Sequence, residues 1–402
     1  MTDQLHGTPD DRPAADPPGG TGRRYRRALE GLLGVPATEG NTVDVLRNGD
    51  EIFPAMLDAI RGAEHTVDLL TYIYWTGDIA IEFADALCQR ASAGVRVRII
   101  LDAVGAAMMD RGLTDRLQKA GCQVEWFRPP TTWKVWEVDH RTHRKILVCD
   151  EDVAFTGGVG IAAEWEGDAR NPDEWRDTHL RVRGPAVDGL RAAFVSNWME
   201  TDHPLFDERD RFPEQPQPGD VVVQVVICPA QVGWTDLGTA FAALIRLAER
   251  RLRITTAYFV PDERFRDLLV DAAQRGVEVE VLVPGPHADK RVVQVAGEAD
   301  YEVLLDAGVR VFHYQPTMLH AKVMTVDGEV ACVGSGNFDQ RSMALNDEAN
   351  LVILDQGVVA ELDADYEQDR SRSEQIDPDR WEGRGGAQRA KEQASEIVDG
   401  KL

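Results

Sequence analysis

The chain is poor in three things: paired cysteines, positive charge and long apolar runs. Cys88, Cys122, Cys149, Cys228 and Cys332 are odd in number, scattered, and never spaced as CxxC. That pattern supports neither a disulfide framework nor a zinc site, and it fits a reduced, cytoplasmic setting. Lys and Arg number 44 against 69 Asp and Glu, a formal net charge of −25. Broad, salt-driven binding to nucleic acid is therefore not expected, because phosphate backbones are held by clustered cations. No run approaches the roughly 20 apolar residues of a membrane-spanning helix. The densest, VVVQVVI at 221–227, is strand length. The opening stretch MTDQLHGTPDDRPAADPPGG is polar, acidic and without the apolar centre of a signal peptide. Any membrane contact is expected to be peripheral, at the inner face. RRYRR at 23–27 is the nearest approach to a patch for anionic lipid.

What the chain does have is a repeat. HRKILVCD at 143–150 and HAKVMTVD at 320–327 share a His, a Lys two positions on and an Asp five further. Each histidine stands fourteen residues before a small-residue turn, GGVG at 157–160 and GSGN at 334–337. On a strand, alternate residues project together, so His143 and Lys145 are expected to share a face while Ile146 and Val148 enter a core. Asp150 closes the apolar run, where a carboxylate commonly accepts the backbone N–H groups of a turn.

The repeat extends upstream. GVRVRIILDAVG at Gly94 matches GVEVEVLVPGP at Gly276, and GCQVEWF at Gly121 matches GVRVFHY at Gly308, each set apart by helical stretches. Strands alternating with helices imply βαβ units. Two similar α/β domains follow, at 39–210 and 221–372, which suits a length of 402 residues. The Pro-rich segment 211–220 is expected to link them, with a disordered tail over 1–38 and a charged, loosely helical tail over 373–402. The first copy carries an insertion before its histidine, RPPTTWKVWEVDH. Its Trp133, Lys134 and Trp136 suit a substrate lid or a membrane contact, or equally simple surface packing.

If both motifs end at one cleft, two imidazoles, two ammonium groups and glycine-turn amides converge there. Such a site suits a phosphodiester: lysines and amides neutralise phosphoryl oxygens, one histidine attacks phosphorus and the other protonates the leaving alkoxide. No metal or cofactor is required. The phosphate-binding candidates are Lys145, Lys322, Asn337, Gly158 and Ser335. Catalytic histidines also need acceptors on their other ring nitrogens, for which Asp177 and Glu348 lie at similar distances downstream of the two motifs.

The doubled HxKx4D pattern with its glycine turns resembles the phospholipase D superfamily over about residues 40–370. YFVPDE at 258–263, LVPG at 282–285, WRDTHLRVRGPAV at 175–187 and GSGNFDQRSMALNDE at 334–348 look more like bacterial cardiolipin synthases than like the superfamily's nucleases. The resemblance implies a pseudo-twofold, two-domain α/β fold with one active site at the domain interface. It also implies a phospholipid substrate and transfer of a phosphatidyl group through a covalent phosphohistidine. His143 would be the nucleophile and His320 the general acid, then base; Lys145 and Lys322 would bind phosphate, while Asp150 and Asp327 complete the motifs. The chain departs from the family pattern at Gly160, where an Asn is usual, as Asn337 stands in the second copy. A phospholipase D hydrolase that uses water, a nuclease, and a non-catalytic lipid-binding relative are the alternatives.

Overall fold

The computed structural model describes residues 20–129, 140–205, 213–229, 235–378 and 381. The first half runs α1 (Gly20–Leu33), β1 (Thr38–Arg47), α2 (Asn48–Gly62), β2 (Thr66–Thr71), α3 (Asp78–Ser92) and β3 (Arg96–Asp102). It continues with α4 (Arg111–Lys119), β4 (Gln123–Phe127), β5 (Ile146–Cys149), β6 (Val153–Gly157), β7 (Thr178–Arg183) and α5 (Ala186–Glu200). The second half opens with β8 (Val221–Cys228), α6 (Asp236–Leu247), β9 (Arg251–Thr255), β10 (Phe259–Val260), α7 (Glu263–Gln274) and β11 (Glu278–Pro284). Then come α8 (Arg291–Glu298), α9 (Tyr301–Asp306), β12 (Arg310–Tyr314), β13 (Val323–Val326), β14 (Val330–Gly334) and β15 (Phe338–Asp339). It closes with β16 (Glu348–Leu354), α10 (Gln356–Ser371) and β17 (Ser373–Gln375).

Fifteen strands form one sheet in the order β17-β12-β11-β9-β13-β14-β16-β8-β1-β7-β6-β5-β2-β3-β4. Leaving out β17, the order is mirrored about the β8–β1 seam: β4 answers β12, β3 answers β11, β2 answers β9, and β5 and β6 answer β13 and β14. The two expected α/β units are thus present and share one sheet. In each, three strands run parallel (β2, β3, β4; β9, β11, β12) and the motif strand joins them antiparallel. The mirror reaches buried charge. Arg98 on β3 clamps its register partner Asp68 on β2 at 2.7 Å through two nitrogens, and Arg253 on β9 meets its register partner Glu280 on β11 at 3.0 Å. Acid and base have traded strands between the halves, which preserves the pairing a buried charge requires.

Three large clusters carry the apolar packing, beside a small one of Leu282, Phe312, Tyr314, Leu319 and Tyr366. One cluster sits under α2 and α3 of the first half, and one under α6 and α7 of the second. A third joins strands of both halves beneath α5 and α10. This shared layer holds the halves in one register and so fixes the cleft between them.

Several sequence expectations need correction. Order begins before residue 39: Gly20–Leu33 is a helix whose Tyr25 and Leu29 are wholly buried in the second-half core, so much of the supposed 1–38 tail is structural. The RRYRR run lies on this helix, where two of its four arginines are paired, Arg24 with Glu249 and Arg26 with Glu30 and Glu39, while Arg23 and Arg27 are exposed. Residues 373–375 are a strand antiparallel to β12, and Trp381 packs on Tyr301, so the ordered body extends past 372. Residues 213–220 carry no regular structure, and Gln215 is tied to Glu151 and Asp188. Trp133, Lys134 and Trp136 lie outside the described residues. No described helix is long and apolar enough to cross a membrane.

Candidate active site

The motif strands start later than expected, at Ile146 and Val323, because the histidines pair across the halves instead of within the sheet. His143 N–H donates to the Asp347 carbonyl at 2.9 Å and Asp347 N–H returns a bond to Arg141 at 2.8 Å. In mirror image, His320 N–H donates to the Arg176 carbonyl at 2.7 Å and Arg176 N–H to Met318 at 2.9 Å. Each histidine is thus laid alongside the segment that carries the other half's carboxylate.

The side chains complete the exchange. His143 Nδ1 lies 3.0 Å from Glu348, and His320 Nδ1 lies 2.8 Å from Asp177. Sequence reasoning identified both carboxylates but not that they cross. Against a charged acceptor Nδ1 carries the proton, which leaves Nε2 as the nitrogen available to a bound molecule. Glu348 also accepts the Ser335 hydroxyl, while Asp177 accepts the Trp165 indole N–H at 2.8 Å and the Thr178 N–H at 2.8 Å.

Both lysines are buried beneath the histidines, each Nζ donating to the carbonyl of its own motif histidine. Burial pulls Lys145 down to about 7 and Lys322 to about 8. Burial, then the adjacent lysine, pushes His143 and His320 each down to about 4. Burial alone would raise Asp177 and Glu348, but the facing histidine and the buried lysines outweigh it and hold both below their ordinary values. The resting pairs are neutral imidazoles beside charged carboxylates.

The histidines open onto a cleft of about 830 Å³ between the halves, lined also by Asn337, Tyr72, Trp75, Trp175, Tyr258 and Asp339. The carboxyl group of Asp339 is pushed up to about 6 by burial. Asn337 is buried, and its Oδ1 has no partner among the described residues. Gly158 and Ser335 do not offer the phosphate contacts expected of them: the Gly158 N–H is spent on the Thr178 carbonyl and the Ser335 hydroxyl on Glu348. Gly158 is required for another reason, since a Cβ there would fall 2.2 Å from Asp177 Oδ1.

Asp150 and Asp327 stand outside the cleft. Asp150 accepts the N–H groups of Glu64, His65 and Thr66 at 2.7–2.8 Å, and Asp327 those of Glu249, Arg250 and Arg251 at 2.7–2.9 Å. Each ties the end of its motif strand to the turn ahead of a neighbouring strand.

The turns themselves differ. At Gly160 a Cβ would approach Ile73 Cβ to 2.8 Å and Trp165 Cζ3 to 3.1 Å, so an asparagine has no room. Trp165, wholly buried, fills that space, bonds Asp177 and stands edge-on to His320 with ring centroids 5.2 Å apart. Its role had no local signal, because its partners lie 12 residues away and in the other half.

The doubled HxKx4D motif, its two histidines brought to one cleft between mirrored α/β halves, is that of the phospholipase D superfamily. The family described as "Cardiolipin synthase, PLD-like domain" matches residues 56–164 and 241–370, more than half of the chain, and the chain belongs to that family. Cardiolipin synthase 1 of Bacillus cereus is 32% identical over 352 residues, 85% of this chain and 69% of its own length. Cardiolipin synthase A of Pseudomonas aeruginosa is 33% identical over 363 residues, 89% of this chain and 73% of its own length. Among solved structures, the crystal structure of phosphatidylserine synthase from Haemophilus influenzae matches the fold with a TM-score of 0.72 at 15% identity, covering 94% of this chain and 99% of that one.

Proposed function

We propose that the chain is a phosphatidyltransferase of the cardiolipin synthase type, moving a phosphatidyl group from phosphatidylglycerol to a second lipid alcohol, and working peripherally at the inner face of a membrane. The crossed histidine pairs in one cleft carry the reading, together with the relatives' names. Neutral His143, held by Glu348, attacks phosphorus through Nε2; a P–N bond forms as the bond to the glycerol oxygen breaks, and His320 gives that oxygen its proton. His320 is neutral in the empty cleft, and the bound phosphodiester anion favours its protonation. It then takes a proton from the incoming hydroxyl, whose oxygen attacks phosphorus, breaks the P–N bond and frees His143. The same anion favours the charged forms of Lys145 and Lys322, which supply positive charge from below, and the Asn337 amide faces the phosphoryl oxygens.

Purified protein given phosphatidylglycerol vesicles should yield cardiolipin and free glycerol by mass spectrometry, and His143→Ala should yield neither. Phosphatidic acid as the sole product would instead mark a hydrolase. Cleavage of single-stranded DNA in the absence of lipid turnover would overturn the reading.

A further inference from the structure

We propose that Val104, Ala107 and Met108, on the loop of residues 103–109 at the mouth of the cleft, form a surface that docks on the head-group and acyl boundary of a phospholipid bilayer. This rests on the lipid reading above and adds where the protein meets the lipid. Val104 is 44% exposed and Met108 60%, among the few large apolar side chains left in water. Both line the cleft onto which the histidines open, so the exposure is grouped at one place and not scattered singly.

The loop is held outward and is not free to tuck these side chains away. Asp102 accepts the N–H groups of Val104 at 2.9 Å and Gly105 at 3.0 Å, and the Trp75 indole N–H donates to the Gly105 carbonyl at 2.7 Å. A Cβ on Gly105 would meet the Tyr72 carbonyl at 2.3 Å, and Ala106 and Met109 are buried in the first-half core. Asp102 also clamps Arg141 and accepts the Thr142 N–H at 3.1 Å, directly ahead of His143. One buried carboxylate therefore sets both the apolar loop and the start of the first motif.

Two observations select a bilayer as the occupant. Val104 and Met108 line the same cleft as Trp75, Val260 and Val293, so an acyl chain entering it meets apolar side chains from both halves. The chain carries a net charge of −25, and two of the four arginines in its basic run at 23–27 are paired with carboxylates, so overall attraction to anionic lipid is weak. Apolar insertion remains, with a flexible methionine suited to an irregular surface.

The test compares wild type with the double variant Val104→Ser/Met108→Ser on phosphatidylglycerol vesicles and on a short-chain phosphatidylglycerol dispersed as monomers. We expect vesicle co-sedimentation to weaken about tenfold, the loss of roughly two modest apolar burials. Turnover on vesicles should fall about tenfold more than turnover on monomers. Wild-type vesicle binding should persist in roughly 0.5 M salt, because screening removes repulsion and not attraction. Equal losses on the two substrates, or salt-released wild-type binding, would overturn the proposal. So would wild-type self-association in sedimentation velocity that the double variant lacks, since the patch would then join copies of this chain. If wild type binds vesicles yet turns over neither substrate, the functional reading fails while the docking surface stands. An unchanged unfolding midpoint verifies the variant's fold.

Discussion

The two halves repeat one frame and support it differently. In the second, Ser335 of the GSGN turn braces Glu348 and Asn337 faces the cleft. In the first, the GGVG turn brings no polar side chain, its Val159 packing in the core; Trp165 fills the space, braces Asp177 and leans on His320. What the halves keep alike is the crossing, since each carboxylate orients the histidine of the other. A duplicated fold thereby becomes a single site that neither half completes alone, while the surrounding support is free to diverge.

The comparison breaks hardest at the carboxylates. Glu348→Gln and Asp177→Asn should each cut phosphatidylglycerol turnover about 10²–10⁴-fold by spoiling the tautomer and charge of the facing histidine. A substrate with a p-nitrophenol leaving group, which needs no proton, separates them. The burst of p-nitrophenol should survive in Asp177→Asn, which acts on His320, and be lost in Glu348→Gln, which acts on His143. Pairing within each half predicts the reverse.

A smaller effect tests the turns. Asn337→Gly should lower turnover about 10²-fold, the scale of one lost donor at a charge-bearing transition state, with little change in unfolding midpoint. Smaller still, Gly160→Asn should restore nothing and destabilise the fold by about 1–3 kcal/mol through overpacking against Ile73 and Trp165. A stable, faster Gly160→Asn enzyme would show that the first turn is an impaired copy and not a differently built one.

Much of this was legible in the chain. The paired motifs, the glycine-led strands β3, β4, β11 and β12, and the identities of Asp177 and Glu348 all follow from residue type and spacing. The crossing was not legible, because backbone pairing such as that of His143 with Asp347 depends on how two distant segments meet across the seam. The helix at 20–33 did leave a signal, Tyr25, Leu29 and Leu33 at helical spacing, which the Pro- and Gly-rich stretch before it obscured. Gly158 and Ser335 misled for a different reason. Glycine turns suggest amides aimed at phosphate, but here one hydrogen bonds with Thr178 and the turn makes room for a carboxylate.

The most direct test of the crossed site is to trap its intermediate. In His320→Ala, His143 should still attack the phosphorus of a substrate whose leaving group is p-nitrophenol, and without its base the variant should retain the phosphatidyl group. Peptide mass spectrometry is then expected to find the adduct on His143. An adduct elsewhere, or a p-nitrophenol burst with no adduct at all, would contradict the account.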